Sequence, residues 1–263
     1  MVVRVAADAR EPAADAVAVE APLAVRVRGE TVAVTMRTPG GDGDDAALAA
    51  GLLLTEGLVR ERRDITGIAC LATDAGDVAN VTLRWDAAFD AERLRRRGFV
   101  SSSCGVCGKA SLEAVAGVHP PLSDVERSAT YSAAVLTGLP DTLRTRQAGF
   151  DATGGLHAAG LFDAAGGCRV VCEDVGRHNA VDKAIGRLWL DDAAEGAAVL
   201  CVSGRVSVEI VQKALALRVG CVVAVSAPTS LAVAFAAEHG QVLCGFVRGG
   251  GMNVYTHAGR IHV

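Results

Sequence analysis

From residue 156 onward the chain alternates short apolar runs with amphipathic stretches, and this serial pattern restricts the fold more than any other feature. Residues 168–172, 199–202 and 221–225 each read as a strand leading through a polar loop into a helix. The first unit passes through Glu173-Asp174-Val175-Gly176-Arg177-His178-Asn179 into a helix with Val181, Ile185 and Leu188 on one face. The second passes through Ser203-Gly204-Arg205-Val206-Ser207 into one aligning Val208, Val211 and Leu215. The third passes through Ser226-Ala227-Pro228-Thr229-Ser230 into an Ala-rich helix ending at Gly240. Residues 156–162 pair with 168–172 as a hairpin, and 242–247 with 254–256 complete the sheet. The pattern predicts an α/β lobe whose sheet is mostly parallel and helix-covered.

The preceding chain reads as α+β. Residues 23–27 and 31–36 alternate around Arg28-Gly29-Glu30, a hairpin signal. A helix follows over 46–58 with Asp44 and Asp45 as cap candidates, then a second strand pair over 65–72 and 78–85. Residues 90–97 predict a short charged helix, 100–108 carry no hydrophobic period, and 109–118 resume a helical one. The expected organisation is a frayed tail over 1–20, an α+β lobe over 21–119, a connection over 120–150 with one helix near 131–136, and a ligand-binding α/β lobe over 151–263.

Composition narrows the function. With 51% hydrophobic residues among 263 there is ample core, and a net charge of -4 gives no electrostatic footprint for nucleic acid. No apolar run reaches membrane-spanning length and the first twenty residues lack a signal-peptide pattern, so a soluble, cytoplasmic protein with no membrane partner is expected. Cys70, Cys168, Cys172, Cys201, Cys221 and Cys244 lie in or beside apolar runs, where a thiol acts as a small hydrophobe. Only Cys104 and Cys107 sit among Ser and Gly, and this scatter is no disulfide framework. Lysine occurs only at 109, 183 and 213, each in a segment singled out on other grounds, either by chance or because a compact ammonium is wanted there instead of a planar fork.

In open α/β sheets ligands bind beyond the carboxyl ends of the strands. Arg177, His178, Asn179, Asp182 and Lys183, then Ser203, Arg205 and Ser207, then Thr229 and Ser230, then Arg248 converge there. Three arginines and several helix N-termini suit a ligand bearing pyrophosphate, although Gly and Ser also serve as plain turn and cap residues. Gly249-Gly250-Gly251 either lets backbone approach a phosphate or forms a flexible turn. His157, flanked by small residues, either faces the ligand or packs under the sheet. Glu173 and Asp174 are either acid–base groups or ion-paired carboxylates beside Arg177.

The Cys104-Gly105-Val106-Cys107 pair has several chemical meanings. No second Cys or His pair completes a structural zinc site, and no His-x-Glu precedes it as a zinc deaminase requires. Thiol–disulfide exchange and sulfur carriage on one thiolate remain, beside two idle loop cysteines.

Ser103-Cys104-Gly105-Val106-Cys107-Gly108, Thr153-Gly154-Gly155-Leu156-His157, the run from Glu173 to Lys183, Ser203-Gly204-Arg205 and Ser226-Ala227-Pro228-Thr229 closely resemble the formate dehydrogenase accessory sulfurtransferases of FdhD/NarQ type. Thr38-Pro39-Gly40 and Leu54-Thr55-Glu56-Gly57 are similar to that family as well. The resemblance implies a sulfur carrier that takes persulfide sulfur from a cysteine desulfurase and passes it to the molybdenum bis(molybdopterin guanine dinucleotide) cofactor used by formate dehydrogenase. It implies Cys104 as the persulfide-bearing residue, with Cys107 assisting. It also implies cofactor contacts along Phe246, Val247, Arg248, Gly249, Gly250 and Gly251, where Gly250-Gly251 lacks an expected basic residue, and the strand-end loops themselves offer His157, Arg177, His178, Asn179, Ser203 and Arg205 as further candidate contacts. A homodimer and a C-terminal lobe similar to the cytidine deaminase-like fold are further implications. A thiol–disulfide oxidoreductase and a non-catalytic cofactor chaperone are the alternatives.

Overall fold

The computed structural model describes residues 2–73, 76–89 and 118–263. Part of the expected frayed tail is paired: β1 (Val2–Val5) and β2 (Arg10–Ala13) form an antiparallel hairpin with nearly all its side chains exposed. β3 (Ala21–Val27) and β4 (Glu30–Arg37) form the expected hairpin, with Arg28 and Gly29 both at positive φ in the two-residue turn that matches strand twist. Leu23, Val25 and Val27 alternate inward.

Helix α1 (Asp44–Thr55) starts before the expected point. Gly43, in the left-handed conformation, takes the N-cap, and Asp44 and Asp45 occupy the first turn without capping it. Their carboxylates bind cations instead: Asp44 pairs with Arg187 and Asp45 with the buried Arg37. β5 (Ile65–Thr73) and β6 (Gly76–Leu83) are antiparallel, and β6 runs parallel to β3, giving the order β4-β3-β6-β5. Trp85, expected inside the second strand, lies beyond it and is exposed. The elements expected between residues 90 and 117, including the Cys104–Cys107 loop and Lys109, lie outside the described residues.

The stretch expected to be a connection belongs to the core of the second lobe. It contains α2 (Asp124–Arg127), β7 (Tyr131–Ser132), α3 (Ala133–Arg144) and α4 (Ala148–Thr153). Helix α3 continues two turns past Leu136, straight through Pro140, which has no N–H to give to the ladder. The buried stripe Leu136, Leu139 and Leu143 offsets that loss.

The large sheet comprises β8 (His157–Phe162), β9 (Cys168–Asp174), β10 (Val199–Val202), β11 (Cys221–Ala224), β12 (Val242–Arg248) and β13 (Gly251–Thr256). Its order is β13-β12-β11-β10-β8-β9. Only β10 with β11 and β11 with β12 pair in parallel, so the sheet is mixed, not mostly parallel. The turns dictate this, since residues 163–167 and Gly249-Gly250 are too short for a parallel crossover. Helices α5 (Arg177–Leu190), α6 (Val208–Ala216) and α7 (Ser230–His239) follow β9, β10 and β11 as the sequence pattern predicts. The two-residue β14 (Ile261–His262) pairs with β7.

Strand alternation sorts the core into two layers. Leu200, Val202, Val222, Ala224 and Leu243 pack with α5, α6 and α7 on one side. Val199, Cys201, Cys221, Val223, Val242 and Cys244 meet α3 on the other. The lobes join where α1 crosses α5 at van der Waals contact of their backbones. A Cβ on Gly51 would lie 1.9 Å from the Asp182 carbonyl oxygen, and one on Gly186 the same distance from that of Ala47. No helix among the described residues is long and apolar enough to cross a membrane.

Candidate functional site

A cavity of about 520 Å³ opens at the carboxyl ends of β10, β11 and β12. His157, Ser203, Val225, Val247 and Arg248 line one side, and α3 with the start of α4 supplies the other through Leu143, Arg144, Gln147 and Phe150. Four of the residues singled out in the sequence, His157, Ser203, Val247 and Arg248, therefore meet at one site. The wall from α3 and α4 was missed, although the Leu136, Leu139, Leu143 spacing across Pro140 carries a signal for it.

Ser203 joins β10 to β8: its Oγ accepts from Ala158 N at 2.9 Å and its own N–H donates to Ala158 O at 3.0 Å. Gly204 leaves room for two neighbours, since a Cβ there would sit 3.3 Å from His157 Nδ1 and 3.8 Å from Arg177 Cδ. Burial, and the nearby Arg177 charge, hold the His157 pKa below the usual histidine value. The imidazole is thus biased toward its neutral form. Arg177 keeps its Nε buried without a hydrogen-bond partner. His178 lies 3.2 Å from Ser207 Oγ through its Nε2.

The segment 246–251 takes a particular shape. A register shift between Gly245 and Arg248 marks a bulge, and Phe246 sits at φ 52°, a region costly for an aromatic residue. The bulge turns the Phe246 ring outward, buries Val247 against α3 and puts the Arg248 guanidinium 5.9 Å from the Phe246 ring centroid. Gly249 and Gly250, at φ 58° and 76°, form the two-residue turn into β13, which accounts for both glycines by turn geometry.

Within the run from Glu173 to Lys183, the polar groups of Asp174, Asn179, Asp182 and Lys183 clasp the first lobe. Asp174 is fully buried, and its carboxylate accepts from Lys183 Nζ at 2.7 Å, Thr38 N at 3.1 Å, Gly176 N at 2.8 Å and Asn179 Nδ2 at 3.1 Å. Lys183 spends its remaining protons on the carbonyls of Thr38 and Glu173. Asn179, expected to contact a cofactor, donates to Met36 O and Asp174 and accepts from Thr35, so its amide is committed. Glu173 does not pair with Arg177; it accepts from Gly149 N and Phe150 N at the start of α4. From α6, Lys213 donates to Asp182 and Thr55 and faces Glu56 at 3.6 Å. Burial opposes its charge, but Asp182 and Glu56 outweigh that and raise its pKa. Thr38, Thr55 and Glu56 belong to the two short N-terminal motifs, which are thereby the other half of the clasp.

Arg205 is exposed and does not line the cavity, and Thr229 caps α7 by accepting from Ala232 N. Burial pushes the Cys172 thiol up to about 12 and the Cys201 and Cys221 thiols up as well, so these are inert packing groups. Cys70, expected among them, is exposed on β5.

Fold and cavity together define a class: an α/β protein built on a four-stranded and a six-stranded sheet, with a cavity at the strand ends of the larger one. The same fold is found in a crystal structure described as that of a formate dehydrogenase accessory protein from Desulfotalea psychrophila, with a TM-score of 0.76, 24% identity, and 99% of this chain and 97% of that chain covered. The model of the FdhD/NarQ family matches residues 18–262, and the chain belongs to that family. Relatives named sulfur carrier protein FdhD include those of Mycolicibacterium paratuberculosis, 48% identical over 92% of this chain and 90% of the relative, and Streptomyces coelicolor, 44% identical over 99% and 94%. That of Saccharolobus solfataricus is 40% identical over 94% and 91%.

Proposed function

We propose that this protein carries sulfur from a cysteine desulfurase to the molybdenum bis(molybdopterin guanine dinucleotide) cofactor on behalf of formate dehydrogenase. The Cys104 thiolate attacks the outer sulfur of the desulfurase persulfide, the desulfurase thiolate leaves and takes a proton, and Cys104 holds the persulfide. Its outer sulfur then passes to the cofactor, which is substrate here, and leaves the Cys104 thiolate behind, with a cellular dithiol supplying the two electrons that bring the transferred sulfur to the sulfide level. Cys107 assists. The sulfur carrier names of relatives 40–48% identical support the carrier role, and burial, which raises the pKa of the Cys172, Cys201 and Cys221 thiols and also that of Cys70, favours Cys104 over these four as the carrier.

The observation that carries the cofactor half is the cavity at the strand ends. Its apolar walls suit a flat heterocycle, and Arg248 with the nearby Arg177, whose Nε is unpaired, suits phosphate. Phe246, Val247 and Arg248 lie on one rim with His157 and Ser203 beside them, His178 close to Arg177, and Arg205 reaching the ligand only from an exposed loop. Asn179 serves the clasp instead. The protein acts in the cytoplasm as a homodimer, and the helix-covered sheet supports a likeness of the C-terminal lobe to the cytidine deaminase-like fold.

Peptide mass spectrometry after incubation with a cysteine desulfurase and cysteine tests this reading. Added sulfur mapping to Cys104, and lost in Cys104→Ala, is the expected result. A Cys104–Cys107 disulfide with no sulfur adduct overturns it in favour of thiol–disulfide exchange.

A further inference from the structure

Two polar side chains on the α3–α4 wall of the cavity are unused by the protein. Gln147 is 4% exposed and lines the cavity, yet its amide takes part in no hydrogen bond. It stands at the N-cap of α4, where such a side chain would ordinarily bond the first free N–H groups, and it makes no cap bond. Glu173 has taken that work, accepting from Gly149 N at 2.7 Å and Phe150 N at 2.8 Å. Neither of its polar atoms is sealed off from the cavity, so both the donor and the acceptor stand open to a ligand. Asp141, one turn before the end of α3, lines the same cavity, and its carboxylate has no ion-pair or hydrogen-bond partner. Arg144, which lies between them in sequence, does not neutralise it: its guanidinium pairs with Asp151 at 2.5 Å and stands over the Phe150 ring.

We infer that Gln147 and Asp141 are the specificity-determining residues of this cavity, reading the edge of a 6-oxo-2-aminopurine base. This rests on the nucleotide-bearing cofactor proposed above. Such a base presents a carbonyl acceptor beside two adjacent N–H donors. The Gln147 amide supplies one donor and one acceptor, matching the carbonyl and the ring N–H, and the Asp141 carboxylate accepts from the exocyclic amine. A 6-aminopurine can satisfy the amide after it flips, but leaves the carboxylate facing C–H. The negative charge of Asp141 also keeps phosphate away from this wall and directs it toward Arg248. Leu143 and Phe150 contribute apolar surface for the ring between them.

Titration calorimetry with GDP and ADP on the full chain, for wild type, Gln147→Leu and Asp141→Asn, tests the inference, with thermal melting of each ligand-free protein alongside. Wild type is expected to prefer GDP. Gln147→Leu is expected to lose about tenfold or more in GDP affinity while its melting temperature holds or rises, because the amide makes no bond within the protein. A purely structural glutamine would lower the melting temperature instead. Asp141→Asn, an exposed change that leaves the fold intact, is expected to narrow the GDP-over-ADP preference and decides the matter if Gln147→Leu does not fold. GDP affinity and preference unchanged in the variants overturn the inference and leave the cofactor reading standing. A wild type that binds no GDP removes the cofactor reading itself and the inference with it.

Discussion

Lys183 and Asp174 form an ion pair of 2.7 Å in which neither side chain is exposed, and each also bonds the Thr38 backbone of the other lobe. Removing one partner strands a buried charge. Lys183→Met is expected to lower unfolding free energy by about 3–5 kcal/mol. The Lys183→Met/Asp174→Asn double variant should lose less than the sum of the single changes. Urea unfolding of the set reads both quantities.

The backbone contact of α1 with α5 leaves no room for a methyl group. Gly51→Ala and Gly186→Ala are each expected to cost stability at the upper end of about 1–3 kcal/mol. Both force the same two helices apart, so their combination should be less than additive. Gly138 provides the contrast: it is exposed in α3 with nothing within 4 Å of an added Cβ. Gly138→Ala should gain about 0.5–1 kcal/mol in the same unfolding assay.

Arg218, bonded to both carboxylate oxygens of Glu126, holds its pKa down to about 2 from an ordinary value of 4.5, helped by Ser123. A carboxylate with a depressed folded pKa stabilises the fold above its unfolded value, and that contribution fades as pH falls from about 4.5 toward 2. Glu126→Gln should therefore lose about 1 kcal/mol at neutral pH, a modest figure for a partly exposed pair. Denaturation midpoints should converge with those of wild type near pH 2.

His157 gives an opposite kind of titration. Its folded pKa is below 6.5, so the unfolded chain takes up a proton first and stability rises with pH through that window. Thermal melts between pH 5 and 8 should show this slope in wild type and a flatter profile in His157→Gln. An anionic ligand seated by Arg248 should raise the His157 pKa, visible by NMR titration.

The strand and helix units after residue 156 were legible because each carries its own period and its own turn residues. The hairpin around Arg28 and Gly29 was legible for the same reason. Helix α3 was obscured because Gly138 and Pro140 contradict the local propensity that Leu136, Leu139 and Leu143 override by packing on the sheet. The parallel character of the sheet was overestimated because serial strand–helix units say nothing of the β8 strand that slips between β9 and β10. At the site, Ser203 and Arg248 were singled out by their positions at strand ends, His157 by its small neighbours, and Val247 only by the family resemblance. The roles of Asn179 and Lys183 were not legible, because their partners Met36 and Thr38 lie more than 140 residues away in sequence. A dense polar motif reads alike whether it holds a ligand or another part of the same chain.

His157 and Asp174 face each other as register partners across β8 and β9. One lines the cavity and the other anchors the first lobe, so a single rung of the ladder sets the alignment of both. The hairpin behaves as a fixed ruler. Residues added in its turn at 163–167 leave that rung untouched, whereas one residue inserted within either strand turns the histidine or the aspartate to the opposite face. Length variation in descendants of this chain is therefore confined to the turn, and the distance from lobe junction to ligand is inherited unchanged.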